Sequence, residues 1–165
     1  MRLFAYGSLV ARGGERVMLS GHRRCWGVAM DNALALPGYK RYAEPQSGAH
    51  PAVHVAFLDL APDPAAHVEG VLIDVGAREL AALDARERNY VRAVLALAGG
   101  GRAWTYLGSP DGRARGRRRP VVVQRAYLEA VRGAYASLGP GAVTRFDSST
   151  DPPPGPVVAL VREDL

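Results

Sequence analysis

The chain is poor in cysteine, lysine and aromatic side chains. Its 165 residues include one cysteine, Cys25, so no internal disulfide can form, which suits a reducing cytoplasm. Flanked by Arg24 and Trp26 in a strand-like stretch, Cys25 reads as a small core or sheet residue. No apolar run reaches about 18 residues, which excludes a transmembrane helix. No charged leader precedes a long apolar stretch, so no secretory signal is expected and a cytoplasmic location is. Neither a P-loop nor a GxGxxG fingerprint is present. No Ser-His-Asp arrangement can be assembled, and Ser8 lacks the GxSxG setting of a nucleophile elbow. Of the four histidines, His22 and His67 stand alone. His50 and His54 are separated by Pro51 and lead into a strand-like run, so they share no helical face and no metal site is expected.

Charge is lopsided. The net charge is +5 and the sequence pI about 9.8, yet Lys40 is the single lysine among the basic residues. Such a balance suits nucleic acid or the steering of small anions. The arginine skew is as readily a mark of codon usage as of a phosphate-binding surface. What is present is an ordinary globular composition, 48% hydrophobic and 22% charged. It fits a single domain over 1–165 with an irregular proline-rich C-terminal segment from about 147.

Periodicity supplies the elements. MRLFAY reads as a strand buried on both faces, ARGGERVML as a loop with one helical turn, and HRRCWGVAMDNALAL as one or two strands. PGYKRYAEPQSGAHP reads as loop. VHVAFLDLA and VEGVLIDV look like antiparallel neighbours joined by a turn at APDPAAH. GARELAALDARERN changes to a helical period, with Leu80, Leu83 and Glu87 on one face. NYVRAVLALA and RAWTYLG are strands around a turn at Gly99 to Gly101. SPDGRARGRRRP is a polar loop. PVVVQRAYLEAVRGAYASLGPG reads as the longest helix, its stripe made of Val123, Tyr127, Val131 and Leu138, stopped by Gly139-Pro140. After the irregular FDSSTDPPPGP, VVALVRE is a last strand or an extended tail. About six or seven strands and two helices imply an α+β fold around a closed or strongly curled sheet.

Two features could carry chemistry. Arg113, Arg115, Arg117, Arg118 and Arg119 form a basic run within 113–119, and the nearby Trp104 and Tyr106 could stack on bases. A solvated loop beside core aromatics explains them more simply. Glu87 is less ordinary: a carboxylate on the apolar Leu80 and Leu83 face, where helix hands over to strand. Desolvation favours the protonated carboxyl, which suits a general base near neutral pH.

YGSL (Tyr6, Gly7, Ser8, Leu9) and LDARERNY, about eighty residues later, together resemble the gamma-glutamylcyclotransferase-like (AIG2-like) superfamily. LSGHRRCWGVAMDN, EGVLIDV and WTYLGSPDG with the following helix resemble its remaining elements, so the likeness covers most of residues 1 to 138. It implies a small mixed β-barrel flanked by helices. It implies an enzyme that cyclises a γ-glutamyl amine, amino acid or peptide to 5-oxoproline without a cofactor. Its site roles fall on Glu87 as general acid/base, on Tyr6, Gly7, Ser8 and Leu9 as the loop that holds the γ-glutamyl group, and on Tyr90 as a pocket residue. A substrate that brings its own amine needs proximity, a proton carrier and oxyanion donors. Gly7 would permit close approach and unusual φ values, and Ser8 would serve through its N–H. The VARGG that follows YGSL differs from the glutathione-specific branch. Arg41, Asn32 and Arg92 are further candidates for a substrate carboxylate. The expected partner is thus a small γ-glutamyl compound, with no membrane and with nucleic acid disfavoured; the sequence does not specify an oligomeric state. A non-catalytic binder of the same fold, and behind it an arginine-rich nucleic-acid binder, are the alternatives.

Overall fold

A computed structural model describes residues 1–98 and 100–165. Its fold is α+β: a seven-stranded mixed sheet, a two-stranded sheet and four helices. The large sheet runs β5 (Tyr90–Ala96), β6 (Arg102–Gly108), β1 (Arg2–Ala5), β4 (His54–Asp74), β7 (Val121–Gln124) and β8 (Val157–Val158), with β2 (Glu15–Asp31) also paired to β4. Among the described residues no ladder joins β5 to β8. β1 lies between β4, antiparallel, and β6, parallel, so Leu3, Phe4 and Ala5 are buried on both faces. This matches a short strand that is apolar after its exposed first residue, Arg2. Gly99 lies outside the described residues, but the strands flanking it pair antiparallel as expected.

Several elements differ from their sequence pattern. VHVAFLDLA and VEGVLIDV are one strand, β4, and both halves pair with the long β2 instead of with each other. Ser20 faces His67 and His22 faces Pro62, with Gly21 at φ +76 between them, so residues 63–66 bow out opposite a single residue. The turn-type residues thus make an outward bulge rather than a reversal. Asp63 Oδ1 accepts from the Ala65 N–H at 3.1 Å within it. The ARGGERVML stretch is a 3-10 helix, Ser8–Arg12, and the start of β2. The loop PGYKRYAEPQSGAHP contains β3 (Lys40–Ala43), which pairs with β9 (Val161–Asp164) from the far end of the chain. Its expectation as loop failed because that partner is distant in sequence.

PVVVQ is strand rather than helix, as its β-branched run favours. Helix α3 (Arg125–Ala136) begins only after Gln124, whose side chain accepts from the Tyr127 N–H at 3.0 Å. Tyr127 and Val131 therefore share a helix that excludes Val123. SPDGRARG forms helix α2 (Pro110–Gly116). Ser109 caps it by accepting from the Gly112 N–H at 3.0 Å, with Pro110 at the first helical position. That is a standard start signal. Helix α1 (Ala77–Arg86) turns Leu80 and Leu83 into the core, and α4 (Ala142–Ser148) precedes the proline-rich stretch. No helix among the described residues is long and apolar enough to cross a membrane.

Candidate active site

The sheet, α1 and α3 surround a cavity of about 660 Å³. Tyr6, Gly7, Ser8, Leu9, Glu87 and Tyr90 all border it. The six sequence candidates, eighty residues apart in the chain, are thus brought together.

The loop wall is built from β1. The Tyr6 hydroxyl donates to the Tyr106 carbonyl at 2.6 Å. Gly7 caps the 3-10 helix, and its carbonyl accepts from the Val10 N–H at 3.0 Å. The opening N–H groups of a helix have no acceptor within it, so those of Ser8 and Leu9 are left for something else. The Tyr6 carbonyl is held from behind: Arg24 Nε donates to it at 3.0 Å, and the Tyr135 hydroxyl lies 3.0 Å from it. Because the peptide unit is planar and trans, the Gly7 N–H points the opposite way, away from Arg24. Gly7 itself has φ −119, so the unusual φ value that a glycine would permit is not adopted there. A Cβ there would sit 3.6 Å from the Tyr127 hydroxyl oxygen, so a side chain at this position would occupy the cavity.

Nothing in the residue pattern around Arg24 singles it out. It is wholly buried, and among the described residues no carboxylate pairs with it. Its guanidinium lies between the rings of Tyr135 and Phe146, 4.9 and 4.7 Å from their centroids. Beyond Tyr6 it donates to the Glu69 carbonyl (2.7 Å), the Tyr135 hydroxyl (2.6 Å), Thr150 Oγ1 (3.0 Å) and Ser149 Oγ (3.3 Å). Burial lowers its pKa.

Glu87 stands one residue past α1. Its N–H closes the helix on the Leu83 carbonyl at 2.9 Å and its carbonyl accepts from the Tyr90 N–H at 2.9 Å. The side chain is 20% exposed, and Oε1 accepts from Arg86 Nε and Nη2 at 3.0 and 2.7 Å. Oε2 takes no protein donor among the described residues. The Tyr90 hydroxyl donates to the Leu58 carbonyl at 2.7 Å. Burial pushes the phenols of Tyr6 and Tyr90 well above their ordinary range, with Asp59 next for Tyr6 and Tyr127 next for Tyr90. Both hydroxyls therefore stay protonated at any working pH.

Tyr127 was expected only as part of an apolar stripe. It packs edge-on against Phe57 and Trp26, at 5.2 and 6.2 Å between centroids. Its hydroxyl reaches the cavity beside Gly7, where the Leu58 N–H approaches it at 3.5 Å. Tyr39 and Lys40 complete the outer wall with Arg162 of β9.

Other candidates have structural duties. Asn32 is buried and bonds the Tyr42 N–H, the Tyr42 carbonyl and the Pro51 carbonyl. Arg41 donates to the Asn32 carbonyl at 3.1 Å, and Arg92 pairs with Asp84 at 2.9 Å over the Trp104 ring. The arginine run is divided: Arg117, Arg118 and Arg119 are exposed beyond α2, as a solvated loop would have them, whereas Arg113 and Arg115 on α2 are partly buried and engaged. Arg113 pairs with the buried Asp59 at 2.7 Å, and Arg115 donates to the Ala29 carbonyl and to Asn89 Oδ1 at 2.8 Å. Asn89 in turn donates to the Tyr39 hydroxyl at 2.7 Å, so Arg115 braces the cavity wall. His50 contacts Glu163 at 2.7 Å, and both ring nitrogens of His54 are buried without partners. Cys25 is buried as expected, and burial pushes its thiol up to about 11. Among the described residues no group of three His, Cys, Asp or Glu side chains is placed to hold a metal ion.

The family model described as gamma-glutamyl cyclotransferase, AIG2-like, matches residues 3–129. No curated protein matches the chain. Among solved structures, one titled gamma-glutamyl cyclotransferase is 15% identical, with 96% of this chain and 93% of that one covered at a TM-score of 0.44. An uncharacterized human protein is 15% identical, with 95% and 92% covered and a TM-score of 0.43. An uncharacterized protein from Pyrococcus horikoshii is 15% identical, with 68% and 83% covered and a TM-score of 0.33.

Proposed function

The chain belongs to the gamma-glutamyl cyclotransferase, AIG2-like family, and from that premise we propose that it cyclises a γ-glutamyl amine, amino acid or peptide to 5-oxoproline. The observation that carries this reading is the shared cavity of Glu87 and the Gly7 to Leu9 amides.

The substrate's α-amine attacks its own γ-carbonyl carbon. The new C–N bond closes the five-membered lactam, and the old amide C–N bond breaks. Two protons leave the α-ammonium and two arrive on the departing nitrogen, which exits as an ammonium. Glu87 accepts from the first nitrogen and returns to the second; its open Oε2 suits the exchange. The Gly7 N–H, aimed by the anchored Tyr6 carbonyl, and the Ser8 and Leu9 N–H groups that open the 3-10 helix bind substrate oxygen that carries or develops negative charge. The cavity supplies proximity by folding amine onto carbonyl. No protein nucleophile and no cofactor is required, and Ser8 serves through its backbone.

Replacing Glu87 by Gln preserves shape while removing the proton carrier. The expected result is a fall in 5-oxoproline release from a screened γ-glutamyl substrate of roughly 10²- to 10⁴-fold, with an unchanged melting curve. Unaltered turnover in Glu87→Gln would sink the mechanism.

A further inference from the structure

Lys40 is the single lysine of the chain, and it borders the cavity on a different wall from the loop. The loop belongs to β1 of the large sheet, whereas Lys40 opens β3, which pairs only with β9. Its ammonium lies 3.9 Å from the centroid of Phe57 and 5.8 Å from that of Tyr39. Among the described residues it donates to no acceptor and pairs with no carboxylate. The acids nearby are engaged elsewhere: Glu87 with Arg86, and Asp164 with Arg162 at 2.6 Å. A half-buried ammonium that faces a cavity, packs on aromatic rings and hydrogen-bonds to none of the described residues is incompletely solvated. An anion entering that cavity would be its natural partner.

We propose that Lys40 binds a carboxylate carried by the amine half of the substrate, and so selects γ-glutamyl compounds whose departing amine is anionic. This rests on the cyclisation reading, which seats the γ-glutamyl half at Gly7 to Leu9 and Glu87. Glu87 borders the same cavity as Tyr6 and Lys40, so one substrate in that cavity can meet all three. With the reacting half on the loop side, the departing half extends toward Tyr39, Lys40 and Arg162. Burial, more than the neighbouring Arg162 and Arg86, pushes the ammonium down to about 8, and Glu87 and Asp164 oppose that shift. The charge is therefore nearly complete by about pH 7, is half lost at about pH 8 and fades above it.

The test is a matched pair, γ-glutamylalanine and γ-glutamylethylamide, which differ only in the carboxylate of the departing amine. The wild type should prefer the alanine compound in kcat/KM by about 10- to 100-fold, the range for one charge-assisted hydrogen bond. In Lys40→Met the ratio of the two should collapse toward one, chiefly through KM for the alanine compound. In the wild type the same ratio should fall as pH rises through about 8. The α-ammonium common to both substrates cancels in the ratio. Equal use of the two by the wild type, or a preference that survives in Lys40→Met, overturns the proposal. Calorimetric binding of both compounds to Glu87→Gln, with and without Lys40→Met, reads the Lys40 contact without turnover. A carboxylate preference in binding that disappears with Lys40 supports the anchor even where the wild type releases no 5-oxoproline, which is the result that overturns cyclisation alone.

Discussion

Two cations have been withdrawn from water without a carboxylate beside them, and the chain treats them in opposite ways. Arg24, behind the loop wall, donates from all three guanidinium nitrogens to carbonyls and hydroxyls and is clamped between two rings. Lys40, in the outer wall, touches two rings and donates to nothing among the described residues. A buried charge is costly unless its hydrogen bonds are made. The first site meets that demand internally and becomes scaffold. The second leaves it open, facing the cavity. The two sides of one pocket thus divide the labour, with a rigid anchor under the backbone amides and an incompletely satisfied charge in the wall β3 shares with β9.

If that division is right, removing the two cations should move stability in opposite directions. Arg24→Ala leaves the Tyr6 and Glu69 carbonyls short of a donor and opens a void between Tyr135 and Phe146. The expected loss is about 3–5 kcal/mol, or on the order of 10 °C in melting temperature, with cyclisation falling alongside as the loop loses its anchor. A variant of wild-type stability would break the comparison. Tyr135→Phe keeps the ring against Arg24 and removes only the hydroxyl near the Tyr6 and Glu69 carbonyls. It should cost about 1–2 kcal/mol, read as a lower urea midpoint at constant m-value.

The same contrast separates what the sequence discloses from what it hides. The loop wall was legible because its signals are local: a four-residue apolar strand ending in Gly7-Ser8, and a helix whose Leu80 and Leu83 register delivers Glu87 at its end. The outer wall was not. β3 is a strand only because β9, far along the chain, pairs with it, and KRYA carries no alternation strong enough to announce that. Arg24 looked like any arginine in a strand, since nothing in HRRCW says that Tyr135 and Phe146 close over it. Helix α2 was hidden differently. Its Ser109-Pro110 start signal is present, but the arginines after it suggest a solvated loop; that holds for the exposed Arg117 to Arg119, whereas Arg113 and Arg115 find partners in Asp59 and Asn89. The APDPAAH bulge shows the reverse error, where turn residues mark a departure from register rather than a change of direction.

The smallest effect is the most discriminating. Lys40 titrates near 8 in the folded chain, below the 10.5 of an unperturbed lysine. The unfolded state therefore binds more protons between about pH 8 and 10.5, and folding stability contributed by this group rises with pH across that window. Well below pH 8 the folded state bears the whole penalty of a charged, poorly solvated ammonium. Lys40→Met removes that penalty and also the attraction of the ammonium to the Phe57 ring, about 0.5–2 kcal/mol. The net expectation is a gain on the order of 1 kcal/mol at pH 7. It should shrink to nothing or reverse by about pH 10.5, as the wild-type lysine discharges, and paired urea titrations at the two pH values would show it. A scaffold lysine would give a loss at pH 7, like Arg24. A gain at neutral pH, together with a lost preference for carboxylate-bearing substrates, is the signature of a charge kept for a ligand at the expense of the fold.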